Sequence, residues 1–122
     1  MRIGTSAAET GGDQALVKLT DQLRRAADDG FASVWMSNIF GLEALTSLAV
    51  AGSRVPGIEL GTAVVPTYPR HPAVLAQQAL TAALAVGPGR LALGGRPSAA
   101  QPRAAAAAPG LAQAMPMTHL SI

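Results

Sequence analysis

The chain has 122 residues, a formal net charge of +2 and 49% hydrophobic residues, enough apolar material for one small domain with a buried core. It contains no cysteine, which excludes a disulfide framework, thiolate zinc sites and a cysteine nucleophile. Seven basic and seven acidic side chains balance over residues 1–94, and the surplus comes from Arg96 and Arg103, so no basic stripe exists for nucleic acid to follow.

The first element is a short strand over Arg2–Thr5. Asp13–Asp29 follows as a helix, with Leu16, Leu19, Leu23, Ala26 and Ala27 on one face, Asp13 as N-cap and Gly30 as its C-terminal stop. Ala32–Met36 is nearly all apolar and is expected as a strand buried on both faces. Leu42–Ala51 is a second helix, with Leu45, Leu48 and Ala49 inward and Gly52 at its end. Ile58–Val65 is a third strand. Pro72–Val86 is a third helix, with proline at the first position, where the missing N–H is harmless, and Gly87 beyond the last turn. Arg90–Leu93 is a fourth strand. Trp35 and Phe31 are assigned to the core.

The sequence changes character after Gly94. The last 28 residues hold nine alanines and four prolines without an apolar stripe, and each proline interrupts any helix the alanines favour. Residues 95–122 are therefore expected to be mostly disordered, with a short helix over Leu111–Met115 as the alternative.

Strand–helix alternation at the spacing of βαβ units predicts a parallel sheet with right-handed crossovers. Two α/β architectures satisfy it: an open doubly wound sheet, or part of a (β/α)8 barrel. The residues after the first strand, Gly4-Thr5-Ser6-Ala7-Ala8, lack Gly-x-Gly-x-x-Gly, and Gly87-Pro88-Gly89 precedes a strand, so a dinucleotide site of the doubly wound type is not supported.

Three segments carry a resemblance: Asp29-Gly30-Phe31-Ala32-Ser33-Val34-Trp35-Met36-Ser37, the run from Ile58 through Gly61-Thr62-Ala63-Val64-Val65-Pro66 to Gln77, and Gly89-Arg90-Leu91-Ala92-Leu93-Gly94. Together they resemble the bacterial-luciferase-like family of flavin- and deazaflavin-dependent oxidoreductases, and its deazaflavin branch most closely. The resemblance covers residues 1–94. It implies a partial TIM (β/α)8 barrel of about three and a half βα units, with the cofactor at the C-terminal ends of the strands. It also implies hydride transfer between that cofactor and an organic substrate, the monooxygenase members using flavin to activate oxygen. The cofactor implied is a deazaflavin coenzyme of the F420 type, with FMN as the alternative.

Carried over by position, the family's non-prolyl cis peptide falls on Ala63–Val64, and the cofactor-binding residues implied are Ser37, Asn38, Gly61, Ala63 and Val64. Asn38 reads equally well as a turn before the next helix. Sugar-phosphate-oxidising relatives place an aspartate and an acid/base histidine where this chain has Asn38-Ile39, so that proton-transfer machinery is missing. No catalytic residue is assigned. His71 precedes Pro72 and reads as an N-cap. Arg70 either meets an anionic cofactor tail or is solvated, and His119 lacks a metal-ligand partner at a useful spacing.

The family pattern continues with further strand–helix units that are not found after Gly94. The chain is thus expected to be a truncated barrel, through a reading-frame shift after Gly94, with impaired cofactor binding and turnover. The alternative is a non-catalytic barrel fragment or small interaction protein. Expected partners are a small-molecule cofactor, an organic substrate and a homodimer mate covering the open half-barrel, with neither nucleic acid nor membrane. No run of eighteen apolar residues is present and Met1-Arg2-Ile3-Gly4 does not open a secretory signal, so the expected location is cytoplasmic.

Overall fold

A computed structural model describes residues 1–8, 11–38, 41–96 and 120–121. In chain order the elements are β1 (Gly4–Ser6), α1 (Ala15–Asp28), β2 (Ser33–Met36), α2 (Ala44–Gly52), β3 (Glu59–Thr62), β4 (Val65–Pro66), α3 (Pro72–Val86), β5 (Leu91–Leu93), β6 (Gly95–Arg96) and β7 (Leu120–Ser121). The main sheet runs β1-β2-β3-β5-β7. Its strands β1, β2, β3 and β5 are parallel and lie side by side in the order they occur along the chain, whereas β7 lies antiparallel on β5, with Leu93 opposite Leu120. Strands β4 and β6 form a small parallel pair of their own.

Strand register sorts the side chains onto two faces. Val34, Leu60 and Leu91 share one row, and with Met36 and Leu93 they face α1, α2 and α3 in one apolar core. The helices supply Leu19, Leu23, Leu45, Leu48, Leu75 and Val86. Burial of each such leucine contributes about 1.5–3 kcal/mol. Successive helices pack on each other, α1 on α2 and α2 on α3, along this one side. Sequential parallel strands with helices on one face belong to a barrel, and the doubly wound alternative is excluded. The described part is three and a half βα units.

Helix ends follow local chemistry. Gly30, at φ +83°, closes α1: its N–H donates to the Ala27 carbonyl and that of Phe31 to the Ala26 carbonyl, a Schellman closure. The α1 start corrects the expected N-cap. Gln14, not Asp13, occupies that position, and its side chain makes no cap bond. Leu16, expected inside, is 37% exposed at the helix flank, while Thr20 is buried with its hydroxyl donating to the Leu16 carbonyl. The second strand is not buried on both faces: Val34 and Met36 are buried, Ser33 and Trp35 half-buried, because the latter pair faces the side of the sheet opposite the described helices. The third strand stops at Thr62 and resumes as β4, since the chain turns at Ala63–Val64, whose peptide is cis.

Gly95 and Arg96 pair with β4 as β6, and Leu120–Ser121 lies on the β5 edge. The proposed helix over Leu111–Met115 and His119 lie outside the described residues, as does most of the tail.

Candidate functional site

The C-terminal ends of β2, β3 and β5 meet where β3 is interrupted. The Ala63 N–H donates to the Met36 carbonyl and the Val65 N–H to the Gly94 carbonyl, so the ladder resumes on either side of the break. Between them the chain turns outward. Ala63 is exposed, and Val64 is 37% exposed although its side chain is apolar. The exposed Ser37 hydroxyl donates to the Ala63 carbonyl at 3.0 Å. Three of the five expected cofactor residues, Ser37, Ala63 and Val64, are therefore brought together in one strip at the strand ends.

The other two sit differently. Asn38 is half-buried, and its Oδ1 accepts the Ala44 N–H at 2.9 Å, joining the end of β2 to the start of α2. Gly61 is buried beneath the Trp35 indole: a Cβ at Gly61 would lie 2.4 Å from Trp35 Cε3. The space the glycine leaves is thus filled by a ring of the protein itself.

Trp35 is not in the helix-side core, which corrects the assignment made from its strand position. Its Nε1 donates to Ser33 Oγ at 3.0 Å, and the same edge lies 3.1 Å from where a Cβ on Gly4 would be. The indole therefore spans from β1 to β3 across the concave face.

A polar network braces the loop between β4 and α3. The Glu43 carboxylate caps α2 by accepting the Leu45 and Thr46 N–H groups. It also accepts from Arg70 Nη2 at 2.9 Å and from Gln78 Nε2 at 3.0 Å, while Arg70 Nη1 donates to Gln78 Oε1. Burial pushes the Glu43 pKa up, but the Thr46, Leu45 and Arg70 hydrogen bonds outweigh it and hold the carboxyl below the ordinary glutamate value. Arg70 is neither solvated nor aimed at an open site; its charge is used inside the fold. His71 is the N-cap of α3, with Nδ1 accepting the Ala73 N–H at 3.2 Å. The composition of these segments does not reveal the Glu43–Arg70–Gln78 network, because its members are distant in sequence.

Among the described residues, no group of three or more His, Asp or Glu side chains is placed to hold a metal ion, and no helix is long and apolar enough to cross a membrane. An open groove lined by Thr5, Gln22, Arg25, Asp29, Phe31 and Val34 lies between β1 and α1, away from the strand-end strip.

The sequence profile of the luciferase-like monooxygenases matches residues 1–109, past the end of the resemblance read from sequence. Among solved structures, the chain is similar to the coenzyme F420-dependent tetrahydromethanopterin reductase from Methanopyrus kandleri, with a TM-score of 0.67 and 23% identity over 77% of this chain and 26% of that one. It is also similar to the monooxygenase RslO1 from Streptomyces bottropensis, with a TM-score of 0.65 and 22% identity over 85% of this chain and 39% of that one. The chain thus spans well under half the length of either neighbour. No curated protein sequence matches it.

Proposed function

Because the chain belongs to the luciferase-like monooxygenase family, we propose that its strand-end strip binds one face of the ring of a flavin-type cofactor in an oxidoreductase. The ring is that of an F420-type deazaflavin, with FMN as the alternative, and the reaction is hydride transfer between it and an organic substrate. When bound, such a group supplies the redox chemistry itself. The protein's part is to place the ring and keep water from it.

The observation that carries this reading is the strip at Ser37, Ala63 and Val64. Ala63 and Val64 offer an exposed apolar surface with little side-chain bulk, which suits a planar ring. The Ser37 hydroxyl gives its proton to Ala63, so its oxygen keeps lone pairs for a ring N–H. The location at the C-terminal ends of parallel strands is where barrel ligands sit. Arg70 and His71 take no part, since each is committed to the fold. Asn38 acts by holding the start of α2.

Titration of the 122-residue protein with F420-type deazaflavin and with FMN, each followed by the ligand's own emission, tests the reading. The expected result is saturable, weak binding that Val64→Arg abolishes while the circular dichroism stays native. Weak affinity follows because contact on one ring face must offset the freedom the ligand loses. Native protein that binds neither ligand would favour a non-catalytic interaction role.

A further inference from the structure

The two ends of the main sheet are not alike. At one end the chain's own β7, two residues long, lies on β5. At the other, β1 is the terminal strand, and among the described residues no strand pairs with its outer edge. The Ile3 carbonyl accepts the Ala32 N–H and the Ala7 N–H donates to the Trp35 carbonyl, so Ile3, Thr5 and Ala7 turn their backbone groups to β2. Those groups alternate along a strand, so the N–H and C=O of Gly4 and Ser6 point away from the sheet. Thr5 shares a row with the buried Val34, which puts the side chains of Ile3, Thr5 and Ala7 on the helix side. There the groove between β1 and α1 opens beside the strand edge, with Ala26 and Phe31 as apolar lining and Arg25 and Asp29 as charged lining. Ile3 is 52% exposed. Arg25 donates through Nε to the Asp21 carbonyl, and neither its charge nor that of Asp29 enters an ion pair among the described residues.

We propose that the β1 edge is the contact between two copies of this chain, joined antiparallel about a two-fold axis through Thr5. A free strand edge is a template for another strand, and this one matches itself. In that register Gly4 of each copy exchanges N–H···O bonds with Ser6 of the other, and the two Thr5 side chains meet on the helix side. Ile3 of each copy lies on Ala7 of the other, which covers an exposed apolar side chain. Charge favours the same arrangement. The Ala8 N–H is bound by Gln22 Oε1 and the Ile3 carbonyl by Ala32, so Thr5 falls at the level of α1 between Arg25 and Asp29. The two-fold axis reverses α1 end for end and brings Arg25 of each copy to the level of Asp29 of the other. Each copy has one such edge and the pair uses both, so association closes at two. The contact is separate from the strip at Ser37, Ala63 and Val64 and does not depend on its ligand.

The absence of cysteine supplies a direct test, since a single introduced thiol reports its own position. Directly opposed residues in a non-hydrogen-bonded antiparallel pair have Cα atoms about 4.5 Å apart, inside the span of a disulfide. Thr5→Cys should therefore form a disulfide-linked dimer under mild oxidation roughly tenfold faster than Ser6→Cys, whose two copies lie roughly 8–9 Å apart in the same register. Sedimentation of the unaltered protein should show monomer and dimer exchanging with concentration, and no larger species. Ser6→Pro deletes an N–H that points outward, which an edge strand tolerates, and should raise the dissociation constant roughly tenfold with native circular dichroism. Arg25→Glu should weaken the dimer, and adding Asp29→Arg should restore it. Native protein that stays monomeric at every concentration would overturn the contact, as would larger assemblies. Equal cross-linking rates of the two cysteine variants, or a dimer indifferent to Ser6→Pro, would overturn it too. Should Ser6→Pro fail to fold, the cross-linking rates and the charge reversal decide.

Discussion

Thr62 and Gly94 are tied reciprocally: Thr62 Oγ1 donates to the Gly94 carbonyl and accepts the Gly94 N–H, both at 2.9 Å. The pair joins β3 to β5 at the level where β3 breaks. Thr62 is fully buried, so its hydroxyl replaces a rung of the ladder that the outward turn at Ala63–Val64 removes.

Thr62→Val keeps the shape and deletes both bonds, leaving the Gly94 N–H without this acceptor. The expected loss is about 1–3 kcal/mol, read as a lower urea midpoint at unchanged slope. Thr62→Ser should recover most of it. Gly94→Ala should cost more than Thr62→Val, because its Cβ would lie 2.2 Å from the Thr62 carbonyl oxygen, a backbone atom that cannot step aside.

Arg90 holds the opposite end of the sheet. Its guanidinium donates to the carbonyls of Ile58, Val55, Gly52 and Val86, the last two belonging to the ends of α2 and α3. Burial draws its pKa below the ordinary arginine value. Arg90→Leu should lower stability by roughly 2–4 kcal/mol, since several inward carbonyls lose their donor. Arg90→Lys should fall between, because one ammonium cannot reproduce a planar fork. Thermal melts of the three proteins rank them.

Glu43 makes stability depend on acid. Its folded-state pKa is lowered, so its contribution is complete above the unfolded-state value and is lost as pH falls through the folded-state value. Denaturation midpoints should therefore decline below the ordinary glutamate range. Glu43→Gln should be less stable at neutral pH and show a shallower acid decline, the two curves converging in strong acid. Parallel curves would contradict the assignment.

His71→Ala should destabilise the protein by about 0.5–2 kcal/mol through loss of the α3 cap, and His71→Asn should restore it. Hydrogen exchange at the Ala73 amide is the local readout. Ligand affinity should be the same in His71→Asn as in the unaltered protein, since His71 acts only on the helix.

The sequence by itself determined the order and kind of the three helices and the four parallel strands of the main sheet, but not the separate β4, nor β6 and β7. Pro72 and Gly87 bound α3 to the residue, because a proline at the first helical position and a glycine just past the end act locally. Gly30 stops α1 for the same reason. The parallel alternation left a doubly wound sheet and a barrel open, and it was the family resemblance, carried chiefly by the Ile58–Gln77 segment, that implied the barrel and the cis peptide at Ala63–Val64. Burial of the strands was only half legible: an apolar run such as Ala32–Met36 does not say which side is covered, and Trp35 counts as apolar on either. Tertiary structure alone decided that the indole lies over Gly61 and beside Gly4, that Arg70 is spent on Glu43, and that Thr62 bridges to Gly94. Each of these joins residues that are on different strands or in the segments beside them. Their meeting depends on strand register and on which sheet face the helices cover, and neither is set by spacing along the chain.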